Sequence, residues 1–437
     1  MKKCTNILLA TALLGFITHN AAAQQSMLIT GATVHTAAGR IIDDGAVGVR
    51  EGRIDYVGSA VNAPSGYDTV LTRAGMRLYP GLIAPNTTLG LNEIFSVRAT
   101  RDYSEAGSMN PNVRALIAYN AESDITATVL ANGVVLAQIC PRGGTISGTS
   151  SVVQLHALNW EEAAYHPDEG IHMGWPAMFK AKSDEEDDPQ GFSFDPTYNE
   201  RRAELYQFFT AAKAYKPNGP VRDLKMEALT GIFSGDKTLY VRCDFIKEIR
   251  EVVQFKRELG IPNLCIVGGY DSWMAAELLR ENNISVLVRR INSLPRFAED
   301  PIDDPYVLPA RLSKAQVRFA FQMDGDMETM QNRNLAFNAG TAMGYGLSEE
   351  EALRACTLYP ATILGIADRT GSIEKGKDAN LILTRGDLFE IRYGGVVEIY
   401  IMGQRVIPEN RQDMLYQKYR SIQEKYRPDA DSSPKSR

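Results

Sequence analysis

The chain has 437 residues, a formal net charge of −6 and 44% hydrophobic residues. That length exceeds one ordinary domain, suits one large barrel with an accessory unit, and supplies enough apolar material for a sizeable core. The acidic balance, with basic residues scattered along the chain, excludes generic nucleic-acid binding.

At the N-terminus Lys2 and Lys3 precede an apolar run over residues 7–17, and Asn20, three alanines and Gln24 follow. This three-part pattern predicts a signal peptide over residues 1–23, cleaved after Ala23, and hence a periplasmic or secreted protein. The run is too short to span a bilayer, so no membrane association is expected after cleavage; a partly buried N-terminal helix is the alternative. Cys4 precedes the run and so is not placed as a lipid-bearing residue. Export implies an oxidising compartment. The remaining Cys140, Cys243, Cys265 and Cys356 have no CxxC spacing and no neighbouring His, and are expected as buried, unpaired thiols.

Residues 27–73 read as short strands with turn punctuation, and residues 371–405 do the same. The two blocks together predict a small β-sandwich domain built from both chain ends, over 24–78 and 366–408. Between them, apolar runs at 82–85, 134–140, 238–244, 264–268, 285–289 and 317–324 alternate with helical patterns such as 245–259 and 272–282. Continuous apolar runs of this length are typical of buried parallel strands. The expected class is α/β, a (β/α)8 TIM-like barrel over residues 79–365, with a doubly wound sheet as the fallback. The stretch 181–195 is acidic and is expected as an exposed loop, and 198–215 as a polar helix. Residues 409–437 read as a C-terminal helix followed by a disordered tail.

Three stretches resemble the amidohydrolase superfamily, in particular its imidazolonepropionase/prolidase-like branch of metal-dependent hydrolases. They are GMRLYPGLI at 75–83, RACTLYPATILG at 354–365 and GSIEKGKDANLI at 371–382. The likeness spans most of the mature chain. It implies hydrolysis of C–N bonds by Zn or another divalent ion held at the C-terminal mouth of the barrel. The implied ligands are an HxH pair on strand 1, a His on strand 5, a His on strand 6 and an Asp on strand 8.

Position by position, the histidines are missing. Strand 1 reads LIAPNTTLGL, with Asn86 and Thr88 at the ligand positions; strand 5 reads LYVRCD, with Arg242; strand 6 reads CIVGG, with Gly268. Only the strand-8 acid, Asp324, survives, and it is the one catalytic candidate. His19 leaves with the signal, and His35, His156, His166 and His172 match no ligand position; pairing of His166 with His172 is a remote alternative. Asn and Thr oxygens are weak ligands for a transition metal, and a guanidinium repels one. No metal cofactor is therefore expected. Arg242 is instead expected to pair with Asp324, with Asp244 as a competing partner.

The mouth loops keep binding character. Residues 141–150 combine Gly143, Gly144 and Ser147, whose backbone N–H groups and hydroxyl suit an anion or a carbonyl. Arg101 lies in the polar segment after strand 1. Together with Arg242, Asp244, Asn86 and Thr88, these are the candidate ligand-binding residues. The leading reading is a secreted pseudoenzyme that binds a small-molecule or peptide-like ligand, or partners an active relative as a homo- or hetero-oligomer. The alternative is a working hydrolase with an atypical site.

Overall fold

The computed structural model describes residues 26–181, 192–217, 219–297, 299–325, 327–392 and 395–426. The expected signal peptide at 1–23, residues 182–191 of the loop expected over 181–195, and residues 427–437 lie outside these; the described edges of that loop depart from the expectation, because Phe179–Ala181 pairs with Phe192–Phe194 and Asp195 is buried. Eight strands form the central sheet: β1 (Leu82–Thr87), β2 (Val134–Ile139), β3 (Ile146–Gln154), β4 (Ala164–Gly174), β5 (Thr238–Cys243), β6 (Leu264–Gly268), β7 (Ser285–Val288) and β8 (Phe319–Phe321). They neighbour one another in chain order from β1 to β8, which is a TIM-barrel-like arrangement.

The regular (β/α)8 expectation fails at one place. Strand β3 runs antiparallel to both β2 and β4, whereas all other ladders are parallel. The cause is chain length. Only residues 140–145 separate β2 from β3, too few for the crossover that a parallel pair requires. Strands β3 and β4 were absent from the sequence expectation because ISGTSSVVQ and AYHPDEGIHMG are rich in residues that usually mark turns.

Strands β8 and β1 close the circle without a ladder, and side chains stitch that seam. Asn86 Nδ2 donates to Gln322 Oε1 at 2.8 Å, and Thr87 Oγ1 donates to Glu328 Oε2 at 3.0 Å. The Thr88 amide donates to Glu328 Oε1 at 2.7 Å, the Thr88 hydroxyl also donates to that atom, and Asn332 Nδ2 reaches Thr87 Oγ1 at 3.0 Å.

Inside the barrel, four strands converge on one buried acid. Glu169 of β4 accepts from Gln138 Nε2 (2.7 Å, β2), Ser150 Oγ (2.5 Å, β3) and Tyr240 OH (2.8 Å, β5). Burial pushes its carboxyl up, and the three donors work against that shift. Helix Ile246–Leu259 covers the outside, burying Ile249, Val252, Val253, Phe255 and Leu259 and ending at Gly260, φ +67°. Helix Tyr198–Ala214, expected to be polar, buries Leu205, Phe209 and Ala212 on one face, and Phe209 meets Phe255 edge-on at 5.1 Å.

The chain ends meet as expected. Strand Arg77–Pro80 pairs with Leu381–Thr384 and with Met27–His35, joining both ends into a second, separate eight-stranded sheet with its own apolar cluster of Ile29, Val34, Val47, Leu78, Leu381, Leu383 and Tyr400. The C-terminal helix Arg411–Tyr426 buries none of its residues. Among the described residues Cys140, Cys243, Cys265 and Cys356 are buried free thiols.

Gly170 admits the Tyr240 ring: a Cβ there would lie 2.3 Å from Tyr240 Cε2 and 2.9 Å from the Thr238 carbonyl. Gly170→Ala is expected to cost about 1–3 kcal/mol in urea denaturation. Gly174→Ala, with nothing within 4 Å of its added carbon, is expected to stay within about 0.5 kcal/mol of the parent.

Candidate functional site

Two adjoining chambers open at the ends of the strands and share Arg242 as their common wall. The inner one, about 190 Å³, is lined by Asn86, Pro141, Arg142, Gly143, Gly144, Ser147, His172, Met173, Gly174, Tyr240, Arg242 and Val267. The outer one, about 280 Å³, is lined by Arg242, Asp244, Gly268, Arg289, Arg290, Ser293, Asp324 and Gly325. Larger cavities of about 340 and 380 Å³ lie away from the strand ends, at the C-terminal helix and beside the accessory sheet.

Asn86 sits in a bulge. Between Ala84 and Thr87 the β1–β2 register slips, and Asn86 takes φ +53°, a left-handed conformation that Asn tolerates. Its polar atoms are fully engaged. Its amide N–H donates to Gln138 Oε1 at 2.9 Å, and its Oδ1 accepts from Arg142 Nη1 at 3.0 Å. Its carbonyl accepts from Arg142 Nη2 at 2.8 Å. Thr88 turns away from both chambers, towards Glu328.

Arg242 Nη1 donates to Asp324 Oδ2, so the expected pair is present. Burial pushes the Asp324 carboxyl up, but Arg242, Arg142 and the Gly325 N–H outweigh it and hold the group below its ordinary 3.8. Asp244 does not compete for Arg242. Its Oδ2 accepts from Arg296 Nη2 at 2.6 Å and its Oδ1 from the Tyr270 N–H at 3.2 Å. Gly268, at φ +97°, has no room for a side chain, since a Cβ would lie 2.6 Å from Asp244 Oδ1.

His172 is the residue that sequence reasoning missed. Placing it on β4 brings it into the inner chamber, where it is 5% exposed and stacks on Tyr240 with ring centroids 4.5 Å apart. Burial, Arg142 and Arg242 hold its pKa well below 6.5, so the ring is neutral. His166 lies six residues earlier on the same strand, roughly 20 Å of extended chain away, and bonds to the Leu364 carbonyl at 3.1 Å. The two therefore cannot share an ion. His35 packs on Tyr79 in the accessory region.

The donor set does not fit a divalent ion. Asn86 is saturated by neighbours, Thr88 is committed to Glu328, Arg242 presents a cation and Gly268 presents nothing. Among the described residues, no group of three or more His, Cys, Asp or Glu side chains is placed to hold a metal ion.

A family model described as "Amidohydrolase family" matches residues 265–406. The chain is 25% identical over 414 residues to an imidazolonepropionase of Sphingopyxis alaskensis, covering 83% of this chain and 93% of that protein. Its structure is similar to an amidohydrolase from Thermotoga maritima, with a TM-score of 0.74 and 26% identity over 88% of this chain and 100% of the other. These likenesses support the amidohydrolase superfamily for this chain. A prolidase crystallised with N-methylphosphonate-L-proline, 15% identical with a TM-score of 0.54, shares the fold.

At the mouth of the barrel the candidates divide into three groups. Asn86, Gly143, Gly144, Ser147 and Arg242 line the inner chamber, and Arg242, Asp244, Gly268 and Asp324 line the outer one. Thr88 and Arg101 line neither; Arg101 forms a backbone bridge with Asn92.

A depressed carboxyl contributes stability that is complete above its unfolded value and lost as pH falls through the lower folded value. Urea stability is therefore expected to decline below about pH 4, with Asp324→Asn flattening that decline. Because Arg242 is 42% exposed, the variant should lose only about 1 kcal/mol or less at neutral pH.

Proposed function

We propose that this chain is an exported amidohydrolase-fold protein that has lost metal-dependent hydrolysis and keeps a ligand-binding or partner-subunit role. The observation that carries the reading is the Arg242 guanidinium laid on Asp324. A fixed positive charge stands where the superfamily resemblance implies a metal-binding imidazole, and it compensates the one remaining acid. Asn86 and Thr88, two of the other three altered positions, are spent on holding the barrel together. We read the barrel as residues 79–365 and the accessory sheet as a small sandwich domain over 24–78 and 366–408. The exposed C-terminal helix, with Leu415, Tyr419 and Ile422 uncovered, offers a surface for a second copy or an active relative.

A second reading, a hydrolase with an atypical site, draws support from His172, a neutral imidazole facing a chamber. Its depressed pKa makes it a poor proton acceptor, and acid–base help alone contributes roughly 10²–10⁴-fold.

Protein produced with supplemental zinc and manganese is expected to carry far less than one ion per chain by elemental analysis. Stoichiometric metal would overturn the proposal. Combined Asn86→His, Thr88→His and Arg242→His substitution should raise metal uptake. Gly268 is left unchanged because its backbone excludes a side chain.

A further inference from the structure

We propose that the C-terminal helix Arg411–Tyr426 is a dimerisation element that pairs in parallel with the same helix of a second copy of this chain, along a seam of Leu415, Tyr419, Ile422 and Tyr426. This rests on the partner-subunit reading above and names the partner.

The helix is firmly built but uncovered. Its sequence contains no Gly or Pro. Asn410 caps it: the Asp413 amide donates to Asn410 Oδ1 at 2.9 Å, and Asn410 Nδ2 donates to Asp413 Oδ2 at 2.6 Å. Its root is tied to helix Asp124–Ala131, where Thr128 Oγ1 donates to Gln412 Oε1 at 2.7 Å and Arg411 faces Asp124 at 3.9 Å. Even so, it buries none of its 16 residues. A helix of this length is marginal in water by itself, because helices in proteins draw most of their stability from a packed apolar face.

The shape of the apolar stripe selects another helix as its cover. Leu415, Tyr419, Ile422 and Tyr426 are all exposed and follow one another at steps of four, three and four residues. That is the a/d repeat of a coiled coil. At 3.6 residues per turn the stripe is about 60° wide, narrower than the face of about 100° or more that packs on a globular core.

Flanking charge selects a second copy and the parallel direction. Arg411, Lys418 and Lys425 lie along one flank of the stripe, Tyr416 and Gln423 along the other, and Asp413, Arg420 and Glu424 on the far side. In a parallel pair each basic flank meets the neutral flank of the other copy, Arg411 against Tyr416 and Lys418 against Gln423. In an antiparallel pair the basic flanks would meet, Lys418 against Lys425, and repel. The surface is thus self-complementary in one orientation, as an isologous two-fold contact requires.

The root extends the seam. A cavity of about 340 Å³ beside it includes Ile94, Ile125, Val129 and Met330 in its walls, and its charged walls balance, Glu93 and Asp124 against Arg333 and Arg411. Ile94 and the neighbouring Phe95 are exposed. A parallel pair brings the two roots together, so this apolar surface adds to the seam towards the roughly 1,200 Å² of a stable interface.

The test is sedimentation equilibrium on the chain lacking residues 1–23. A dimer is expected, with association weakened about a hundredfold or more by Ile422→Glu, which puts a charge into the seam from both copies. Ile422 is exposed in a single copy, so the variant should keep a native near-ultraviolet spectrum. Mild oxidation of Ile422→Cys should give a covalent dimer, because a parallel pair sets the same seam position of both copies side by side. Gln417→Cys, on the far side, and the parent, whose Cys140, Cys243, Cys265 and Cys356 are buried, should not cross-link. A monomer at every concentration, including one that binds phosphatidylglycerol vesicles through this helix, would overturn the pairing and leave the metal-loss reading standing. A dimer unchanged by Ile422→Glu, or one that links through Gln417→Cys instead, would overturn the seam. Stoichiometric zinc in the dimer would overturn the metal-loss reading and leave the pairing standing.

Discussion

The mouth of this barrel is governed by positive charge that pH cannot remove. Guanidinium groups stay protonated wherever proteins are folded, so Arg142 and Arg242 impose the same field at every relevant pH. Three local states follow from it. Asp324 remains ionised despite its burial. His172 remains neutral, because a third cation among two guanidinium groups would be opposed by charge as well as by desolvation. Asn86 presents both of its oxygens to Arg142. A divalent ion placed among these groups would meet repulsion and neutral oxygens already in use, which reverses the electrostatic requirement of a metal hydrolase.

Below the mouth, the same residues serve mechanical ends. The β8–β1 seam lacks a ladder, so its closure relies on side chains. Glu328 gathers Thr87 and Thr88, and Asn86 reaches Gln322. Each bond is modest, about 0.5–1.5 kcal/mol net, but all lie in buried surroundings where an unmade partner is costly. The Glu169 network adds a second polar layer within the barrel, holding β2, β3, β4 and β5 in fixed relation and anchoring the Tyr240 ring on which His172 stacks. The site floor and the barrel interior are thus one connected hydrogen-bonded structure.

Much of this was legible in the chain. Apolar runs gave six of the eight barrel strands, the two end blocks gave the accessory sheet, and the strand-5 stretch LYVRCD with the strand-8 stretch FQMDG gave the Arg242–Asp324 pair from a missing His and a retained Asp. What escaped was carried by small polar residues. ISGTSSVVQ resembles a loop in composition, yet its Thr149, Ser150 and Ser151 are buried because the barrel interior around Glu169 is itself polar. Without β3 and β4, His172 had no place in the site. The role of Thr88 was also hidden, because Glu328 lies 240 residues away and no local pattern joins them.

The strand-6 position shows how far this site differs from the one the resemblance implies. Gly268 is not a vacant place on the strand into which an imidazole would fit. Its backbone turns to φ +97°, and the volume beside it is taken by Asp244 Oδ1. Asp244 is held there by the Tyr270 N–H and by Arg296, whose guanidinium in turn lies over the Phe245 ring at 4.2 Å. Returning a histidine to position 268 would therefore require the backbone, the Asp244–Arg296 pair and the aromatic contact to move together. Because these elements support one another, the present arrangement is a self-consistent structure with its own packing requirements. Its chemistry must be read from the guanidinium and amide groups it presents.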